Sequence, residues 1–336
     1  MVKVSPHTLT SIEMCAGAGG QALGLERAGF QHVALIEVDE PACKTLRINR
    51  PLWNVIEGDV RFFDAARYRG IDLLAGGVPC PPFSVAGKQL GALDDRDLFP
   101  EMLRLVRECD PAAVMIENVR GLLDPKFETY RSRIRGSFEA MGYRGSWRLL
   151  NASDFGVPQS RPRAIFVALK RGISHLFEWP PPSRTKPLSV GKVLFPEMSS
   201  QGWAMAEEWR KKANGIAPTL VGGSRKHGGP DLGPTRARQA WAQLGVDGLG
   251  LADKPPANAF VGMPRLTVKM TALLQGFPED WVFAGTKTAV YRQIGNAFPP
   301  PVAEAVGRSI AEALKKRAVD AEEESRFQRH VAGISH

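Results

Sequence analysis

Cysteine is scarce in this sequence, and no two cysteines are closely spaced. Four occur in 336 residues, at Cys15, Cys43, Cys80 and Cys109, with no CxxC pair. That spacing excludes a disulfide framework and a zinc cluster built on cysteine. A run of about 18 apolar residues, which a transmembrane helix needs, is missing, and the N-terminal residues contain no apolar stretch of a secretory signal. We therefore expect a protein of a reducing compartment, the cytoplasm.

Acidic residues are outnumbered by basic ones. The 44 lysines and arginines against 35 aspartates and glutamates give a formal net charge of +9. Such a surplus is typical of proteins that bind the phosphates of nucleic acids, although many basic proteins bind none. With 43% hydrophobic and 24% charged residues, the composition is that of a folded globular protein rather than a disordered one.

Short apolar runs alternate with amphipathic stretches in the first half of the chain, which predicts an α/β fold. Strands are predicted at Leu9–Met14, Val33–Ile36, Ile71–Ala75, Ala113–Glu117, Tyr143–Leu150 and Arg163–Ala168. Helices are predicted at Gln21–Ala28, Glu40–Asn49, Leu98–Cys109 and Arg131–Met141. The segment from Ser11 to Asp39 has the order strand, glycine turn, helix, strand, which favours a parallel sheet.

The composition changes at a proline run, Trp179–Ser183, which cannot continue a helix or a central strand. Residues 1–182 are therefore assigned to a first domain, and residues 183–285, rich in glycine and proline, to a smaller, loop-rich domain. Residues 286–318, where Val302–Ala318 has helical apolar spacing, return to the first domain. Residues 319–336 are expected to form a flexible tail.

A glycine turn follows the first strand and opens the first helix. Gly17, Gly19 and Gly20 let backbone approach a ligand closely, and the helix N-terminus favours a negative group. This turn fits a nicotinamide enzyme and an S-adenosylmethionine enzyme alike, and also a tight turn without a ligand. In either enzyme Glu37 could accept hydrogen bonds from ribose hydroxyls, and Asp59 from an adenine amino group.

Cys80 lies between prolines, in a loop that follows the strand predicted at Ile71–Ala75. The loop therefore leaves the carboxyl edge of the sheet, where the ligand sites of α/β proteins lie. A structural cysteine normally lies within an apolar run, whereas a rigidly held, exposed thiol suits a nucleophile. We therefore predict that Cys80 is a catalytic nucleophile.

Charged side chains also stand at the ends of two other strands. A desolvated Glu117 would have a raised pKa and could donate a proton to a ring nitrogen, although a helix-capping or ion-paired acid has the same pattern. Arg161 and Arg163 flank Pro162, so in an extended chain their side chains point the same way. Alone, these two arginines also fit an ordinary surface.

These elements, in this order, resemble the DNA cytosine-5 methyltransferase family. Four of its motifs are matched by the glycine turn Cys15–Gly20, by Pro79-Cys80, by Glu117-Asn118-Val119, and by Gln159, Arg161 and Arg163. Two more follow, at Arg265–Pro278 and Gln293–Ala297. The six motifs stand in the family's unpermuted order and cover about residues 10–310.

The resemblance implies a Rossmann-like, S-adenosylmethionine-dependent methyltransferase sheet with a smaller target-recognition domain, and no metal. The reaction would move a methyl group from S-adenosylmethionine, leaving S-adenosylhomocysteine, to C5 of a cytosine flipped out of double-stranded DNA. The Cys80 thiolate would add to C6, Glu117 would protonate N3, and Arg163, with Arg161 nearby, would bind the O2 side. The implied cofactor contacts are Cys15, Ala16, Gly17, Gly19, Gly20, Glu37, Val38, Asp59, Val60, Pro79, Leu98, Asn296 and Ala297.

The sequence departs from the family pattern at three positions. Cys15 and Val38 stand where aromatic residues are usual, so the cofactor would lose aromatic contacts there and bind more weakly. Pro81 stands where many members have glutamine, so any base contact of that glutamine is lost. We expect Cys15 to line the cofactor site without reacting.

The smaller domain is expected to read the DNA. Ala217–Gly223 resembles the family's Thr-Leu element, which abuts the backbone of the flipped nucleotide. DNA contacts are predicted for Ser84, Gln159, Thr219, Leu220, Ser224, Arg225, Lys226, His227, Arg236 and Arg238. Because arginine and lysine most often read guanine, a GC-rich site is expected, although some of these side chains would bind phosphate alone.

Three alternatives stay open on the sequence alone. A tRNA cytosine-5 methyltransferase would share the core, but the basic, glycine-rich segment 221–238 favours DNA. An oxidoreductase leaves Pro79-Cys80 and Glu117 unexplained, and the presence of both Cys80 and Glu117 disfavours a non-catalytic DNA-binding protein.

The compact chain favours a prokaryotic enzyme, which we expect to be a monomer. It would be either the methylase of a restriction–modification system, beside a separate endonuclease, or an orphan methylase.

Overall fold

The computed structural model describes residues 8–79, 97–222 and 230–334, with side chains as far as residue 317. Within these residues one sheet contains β1 (Leu9–Met14), β2 (Phe30–Glu37), β3 (Val55–Glu57), β4 (Leu73–Gly77), β5 (Ala113–Val119), β6 (Tyr143–Asn151) and β7 (Pro162–Lys170). The strand order is β3-β2-β1-β4-β5-β7-β6. From β1 the chain adds β2 and β3 on one side of the sheet, and then β4 and β5 on the other. A sheet built outward in both directions in this way is doubly wound.

The sheet is mixed rather than wholly parallel. Strands β1 to β5 pair in parallel, as predicted from the first strand-turn-helix unit. Strand β7 pairs antiparallel with both β5 and β6, so the parallel prediction is wrong for this edge. Only residues 152–161 join β6 to β7, which is too short for the crossover of about a dozen residues that a parallel pair needs.

Helices cover both faces of the sheet. The helices are α1 (Gly20–Arg27), α2 (Glu40–Asn49), α3 (Phe99–Cys109), α4 (Glu128–Ala140), α5 (Val190–Ser199), α6 (Ala206–Lys212), α7 (Thr235–Gln243), α8 (Val268–Gln275), α9 (Lys287–Asn296) and α10 (Pro300–Ile334). Leu25 of α1 and Val306 of α10 join the core on one face. Met102 of α3 and Phe138 of α4 join the core on the other, so alternate residues of each central strand are buried on opposite sides.

Helix α10 runs past its predicted end. Residues 319–336 were expected to form a flexible tail, which stays a prediction, and the backbone is helical to Ile334. Residues 320–330 include alanine, glutamate and arginine, which favour helix, and neither proline nor glycine, which would end one. Among the helices described, none is both long and apolar enough to cross a membrane.

The segment 183–285 has its own hydrophobic cluster and contains α5 to α8. Trp203, Trp209 and Trp241 are buried at its centre, and Tyr291 of α9 completes it. The sequence pattern did not predict these helices because each has only seven to ten residues. So short a helix shows too few turns for a clear apolar period.

Two glycines of α1 bring a distant part of the chain onto the first helix. A Cβ on Gly20 would lie 2.2 Å from the carbonyl oxygen of Phe298, and one on Gly24 would lie 2.5 Å from that of Pro300. Any side chain at either position would force the two backbones apart. The end of α9 and the start of α10 therefore lie directly beside the glycine turn.

Candidate active site

A cavity of about 900 Å³ opens at the carboxyl ends of the central parallel strands. Most of the predicted cofactor residues line it, namely Cys15, Ala16, Gly17, Gly20, Glu37, Val38, Pro79, Leu98, Asn296 and Ala297. Glu117 and Arg163 line the same space. A crevice at this edge of a doubly wound sheet is where α/β proteins bind their ligands.

The glycine turn has left-handed backbone at Cys15 (φ 55°), Gly17 (φ 54°) and Gly19 (φ 84°). Gly17 is open on its side-chain face, with nothing within 4 Å of where a Cβ would be. Gly19 faces the interior instead, where a Cβ would lie 2.6 Å from Cδ2 of Leu46. Gly17 thus leaves room for a ligand, whereas Gly19, outside the cavity lining, is required by packing.

Glu37 ends β2 and fixes the turn. Its Oε1 accepts hydrogen bonds from the backbone N–H groups of Val38 and Asp39 at 2.9 and 2.8 Å, and its Oε2 accepts one from Gly17 at 2.7 Å. A carboxylate offers about four lone-pair positions. Oε2 therefore retains an acceptor position for a ribose hydroxyl, which is the role predicted from the sequence.

Asp59 and Val60 lie beside this edge, outside the cavity lining. Asp59 accepts a hydrogen bond from the backbone N–H of Arg61 and pairs with its guanidinium, both at 2.9 Å. Val60 is buried in the core beneath. The N–H of Gly58 donates to the carbonyl of Glu37 over 2.9 Å, so Asp59 stands next to the proposed ribose position. The adenine contact of Asp59 stays a prediction.

The three cysteines of the described residues are held as thiols. Burial, with the nearby charges of Glu37 and Glu13, raises the pKa of Cys15 to about 12. Burial likewise raises the pKa of Cys43 and of Cys109 to about 12. A thiol that is protonated at neutral pH is a poor nucleophile. Cys15 lines the cavity as expected, and Cys80 lies outside the described residues.

The inner wall of the cavity carries polar atoms without a partner among the described residues. Glu13, within β1, is 1% exposed and its Oε2 is unpaired. Gln21, at the start of α1, is 4% exposed and both atoms of its amide are unpaired. Burial raises the pKa of Glu13 well above its usual range, and Glu37 raises it further. These groups fit a polar ligand end, such as the amino-acid end of S-adenosylmethionine.

Sequence reasoning did not select Glu13 or Gln21, although one signal was present. An acidic residue within the apolar strand Leu9–Met14 is costly unless it is paired or used. The ion pair of Arg292 with Asp39, at 3.4 Å, was also missed. Its partners are 253 residues apart in the chain, so no local pattern could indicate that they meet on the cavity wall.

Glu117 and Arg163 form a buried ion pair at the other side of the cavity. Nε of Arg163 lies 2.9 Å from Oε1 of Glu117, and the two side chains are 13% and 11% exposed. Strands β5 and β7, which pair antiparallel, set the two residues on adjacent strand ends. Burial outweighs the attraction of Arg163 and raises the pKa of Glu117. Glu117 is therefore both an ion-paired acid and a group suited to carry a proton.

Asn118 fixes the backbone that leads to Cys80. Its Nδ2 donates to the carbonyl of Val78 over 2.8 Å. On the other side of the segment 80–96, the N–H of Leu98 donates to the carbonyl of Pro79 over 3.5 Å. Gly77, the last residue of β4, stands opposite Glu117 in the parallel register. The chain therefore enters the Cys80 segment beside Glu117.

Arg161 is not placed as a base-binding group. Its guanidinium is fully buried and donates to the carbonyl of Leu220 at 2.7 Å, to that of Ala297 at 3.2 Å, and to that of Gly295. It therefore joins the segment at 220 to the end of α9. The alternation around Pro162 did bring both arginines near Glu117, but the carbonyls of these distant segments orient Arg161.

Arg161→Lys is expected to lower the free energy of unfolding by about 2–4 kcal/mol, because one ammonium cannot span three carbonyls and such bonds are worth about 1.5–3 kcal/mol each. Urea denaturation measures this change. Arg148→Lys is the matched control, since Arg148 is exposed and only stacks over Trp179 at 5.9 Å. The opposite result would be an unchanged free energy of unfolding with turnover reduced about 100-fold or more, which is the loss expected for a general acid. That result would support a catalytic role for Arg161.

Two of the predicted DNA contacts are buried. Gln159 is fully enclosed: its Nε2 donates to the carbonyl of Leu274 at 3.0 Å and to Oε1 of Gln275 at 2.8 Å, and its Oε1 accepts from the N–H of Leu220 at 2.8 Å. Leu220 is 1% exposed. Neither side chain reaches the surface here, because tertiary contacts across more than 60 residues enclose both. Gln159 and Leu220 thus hold the segment at 219 against the sheet domain.

The remaining predicted DNA contacts divide into two groups. Thr219 is half-buried and donates to the carbonyl of Ser160 at 2.6 Å, while α7 carries Arg236, which is exposed, and Arg238, which is half-buried. Those outside the described residues are Ser84, Ser224, Arg225, Lys226 and His227. Across the ranges that are described, no group of three or more histidine, cysteine, aspartate or glutamate side chains could hold a metal ion.

A doubly wound sheet, a glycine turn at its carboxyl edge and a buried acid–arginine pair in the same cavity define a Rossmann-like methyltransferase. The family model for C-5 cytosine-specific DNA methylase matches residues 9–312. The chain belongs to this family, and it is a DNA (cytosine-5)-methyltransferase. The resemblance, the fold class and the enzyme class predicted from the sequence are confirmed. The oxidoreductase and the non-catalytic protein are excluded, and the tRNA enzyme is not favoured.

Individual relatives agree with this assignment. The chain is 60% identical to Type II methyltransferase M.NgoMIV of Neisseria gonorrhoeae over 310 residues, which cover 91% of this chain and 98% of that protein. It is 53% identical to Type II methyltransferase M.NaeI of Lentzea aerocolonigenes, over 94% of this chain and 79% of the relative. The S. pombe Dnmt2 methyltransferase structure shares the fold, with a TM-score of 0.61 at 17% identity over 93% of this chain and 99% of its own. Members of this family use S-adenosylmethionine as the methyl donor.

Proposed function

We propose that this protein methylates cytosine within one short sequence of double-stranded DNA, as the methylase of a restriction–modification system or as an orphan methylase. The observation that carries the proposal is that one cavity joins the glycine turn and Glu37 to the Glu117–Arg163 pair. The Type II methyltransferases that resemble the chain support a restriction–modification setting. We place the protein in a prokaryotic cytoplasm, as a monomer, with any cognate endonuclease acting separately.

When bound, S-adenosylmethionine supplies an electrophilic methyl group and leaves as S-adenosylhomocysteine. Glu37 would hold its ribose, and the open face of Gly17 would leave room for the cofactor beside it. The N-terminus of α1 favours the carboxylate of the amino-acid end. Pro79, Leu98 and the 296–297 segment would enclose the remaining sides. The chemistry requires no metal.

The base would bind beside Glu117. Cytosine C5 is a weak nucleophile, so the Cys80 thiolate adds to C6 and makes C5 electron-rich. Glu117, whose buried carboxyl has a raised pKa, donates its proton to N3 and neutralises the charge that this addition creates. Arg163 binds the O2 side and keeps Glu117 in place. After methyl transfer, N3 returns its proton to Glu117, and loss of the C5 proton to water expels Cys80 as a thiolate.

Access to C6 requires the cytosine to leave the duplex, because a stacked base cannot present that atom to a thiol. We assign residues 183–285 to the recognition of the surrounding sequence. The net charge of +9 supports binding to phosphates. Arg236 on α7, together with residues 224–227, would contact the bases or the phosphates.

The direct test is base-resolution sequencing of 5-methylcytosine in a methylation-free bacterial host that expresses the chain. We expect full methylation at one short, GC-rich sequence and background elsewhere. The same host expressing Cys80→Ser is the control and should show background at that sequence. Methylation confined to RNA would contradict the proposal and support the tRNA enzyme.

A further inference from the structure

We propose that Gln21 binds the amino-acid end of S-adenosylmethionine and is a binding residue particular to this site. The assignment deepens the proposed function and rests on it. The resemblance to the family assigns no role to this position, and the evidence is the state of its side chain. Gln21 is 4% exposed, lines the cavity, and has neither Oε1 nor Nε2 paired among the described residues.

A buried primary amide without partners is an unusual feature. Most buried polar side chains in proteins have at least one hydrogen bond, so each exception calls for a ligand or an ordered water. A leucine or methionine would fill the same space without losing hydrogen bonds to water. The helix does not need glutamine at this position either, since no hydrogen bond caps the N-terminus of α1 through a side chain. The amide therefore indicates a function outside folding.

The position of Gln21 indicates which end of the cofactor it would contact. Glu37 and Gly17 mark the ribose side of the cavity. Gln21 follows Gly20, which is pressed against the carbonyl of Phe298, so it is the first side chain of α1 that can contribute to the wall. Glu13, with an unpaired Oε2, stands on the same inner wall. Both residues therefore lie on the wall that β1 and the start of α1 form, and this wall holds polar groups without partners among the described residues.

The chemistry of an amide matches a zwitterion. Nε2 donates to a carboxylate, and Oε1 accepts from an ammonium, so one Gln21 side chain serves both charges of an amino acid. The N-terminus of α1 adds a preference for the carboxylate. Both amide atoms are enclosed in the ligand-free protein, so binding would turn the side chain toward the cavity and give the amide the two partners that it lacks.

The test compares two nucleosides that differ only at this end. S-Adenosylhomocysteine carries the amino acid, whereas 5′-methylthioadenosine has a methyl group in its place. For Gln21→Leu we expect the Kd of S-adenosylhomocysteine, measured by titration calorimetry, to rise about 10- to 100-fold, since hydrogen bonds to charged groups have that strength. The Kd of 5′-methylthioadenosine should change less than about 3-fold. The ligand-free variant should melt about 2–4 °C higher, because the unpaired amide is gone.

Gln21→Met keeps the unbranched shape and should give the same changes in Kd. It shows whether poor packing of leucine, rather than loss of the amide, causes the effect. Gln31→Leu is the matched control, because Gln31 is exposed at the opposite end of β2, and it should alter neither Kd. An unchanged Kd for S-adenosylhomocysteine, or an equal loss for both nucleosides, overturns the assignment. Wild-type protein that binds neither nucleoside would instead overturn the proposed function, and the assignment with it.

Discussion

Cys80→Ser is expected to reduce methyl transfer by about 10³-fold or more, the order of loss seen when a covalent nucleophile is removed. A serine hydroxyl is far less acidic than a thiol and has no base assigned to it here, so addition to C6 stops. Transfer of labelled methyl groups to DNA measures the loss. Cofactor and DNA binding should persist, because the hydrogen bonds of the cavity wall do not depend on the thiol.

A trapping experiment separates the nucleophile from a structural cysteine. With S-adenosylmethionine present, methyl transfer to a target 5-fluorocytosine leaves fluorine and no proton at C5, so the methylated adduct cannot expel the thiol. The wild-type protein should form a complex with this DNA that survives denaturant, and Cys80→Ser should not. Cys109→Ala is the matched control, because Cys109 is buried at the end of α3, outside the cavity lining. A stable complex formed by Cys80→Ser would assign the nucleophile elsewhere.

Glu117→Gln is expected to lower kcat by about 10²- to 10⁴-fold, the usual contribution of a general acid. Glutamine keeps the shape and can still donate a hydrogen bond, but it cannot transfer a proton to N3. Because the substitution removes the charge of Glu117, Arg163 remains buried without this ion-pair partner. The free energy of unfolding should therefore fall as well. Single-turnover kinetics at saturating DNA distinguish a slower chemical step from weaker binding.

Asp110→Asn is the matched control for this substitution. Asp110 pairs with Lys170 over 2.9 Å at the opposite end of the sheet, so the same change from acid to amide should leave turnover intact. The pH profile adds an independent readout. Because the pKa of Glu117 is raised, wild-type activity should fall as pH rises through that value and the acid loses its proton. Normal turnover in Glu117→Gln would remove Glu117 from proton transfer.

The sequence predicted those parts of the site that are local in the chain. Each of these parts lies at or just beyond the carboxyl end of a buried strand. They are the turn between β1 and α1, Glu37 in β2, and Glu117 in β5. Because parallel strands end at the same edge, such residues converge even when they are far apart in the chain. Periodicity and turn chemistry were therefore sufficient to place them.

Side-chain burial could not be predicted in this way. Spacing alone treats Arg161 and Arg163 as equivalent, yet one binds distant carbonyls and the other an adjacent acid. Gln159 was assigned to DNA, but residues more than 60 positions away enclose it. The strand β7 was predicted, but its antiparallel direction was missed for a related reason, since strand direction depends on how the connection packs. These outcomes depend on tertiary contacts that no short window of sequence contains.

The close contact of Gly20 with Phe298 bears on when the cavity can form during synthesis. Its first wall, at residues 13–38, is translated about 260 residues before the wall at 296–298. At about 5–20 residues per second this interval lasts tens of seconds. During that time the nascent chain contains the wall at residues 13–38 but not the wall at residues 296–298. A chain that ends before residue 296 lacks one wall of this cavity, and we expect it not to methylate DNA.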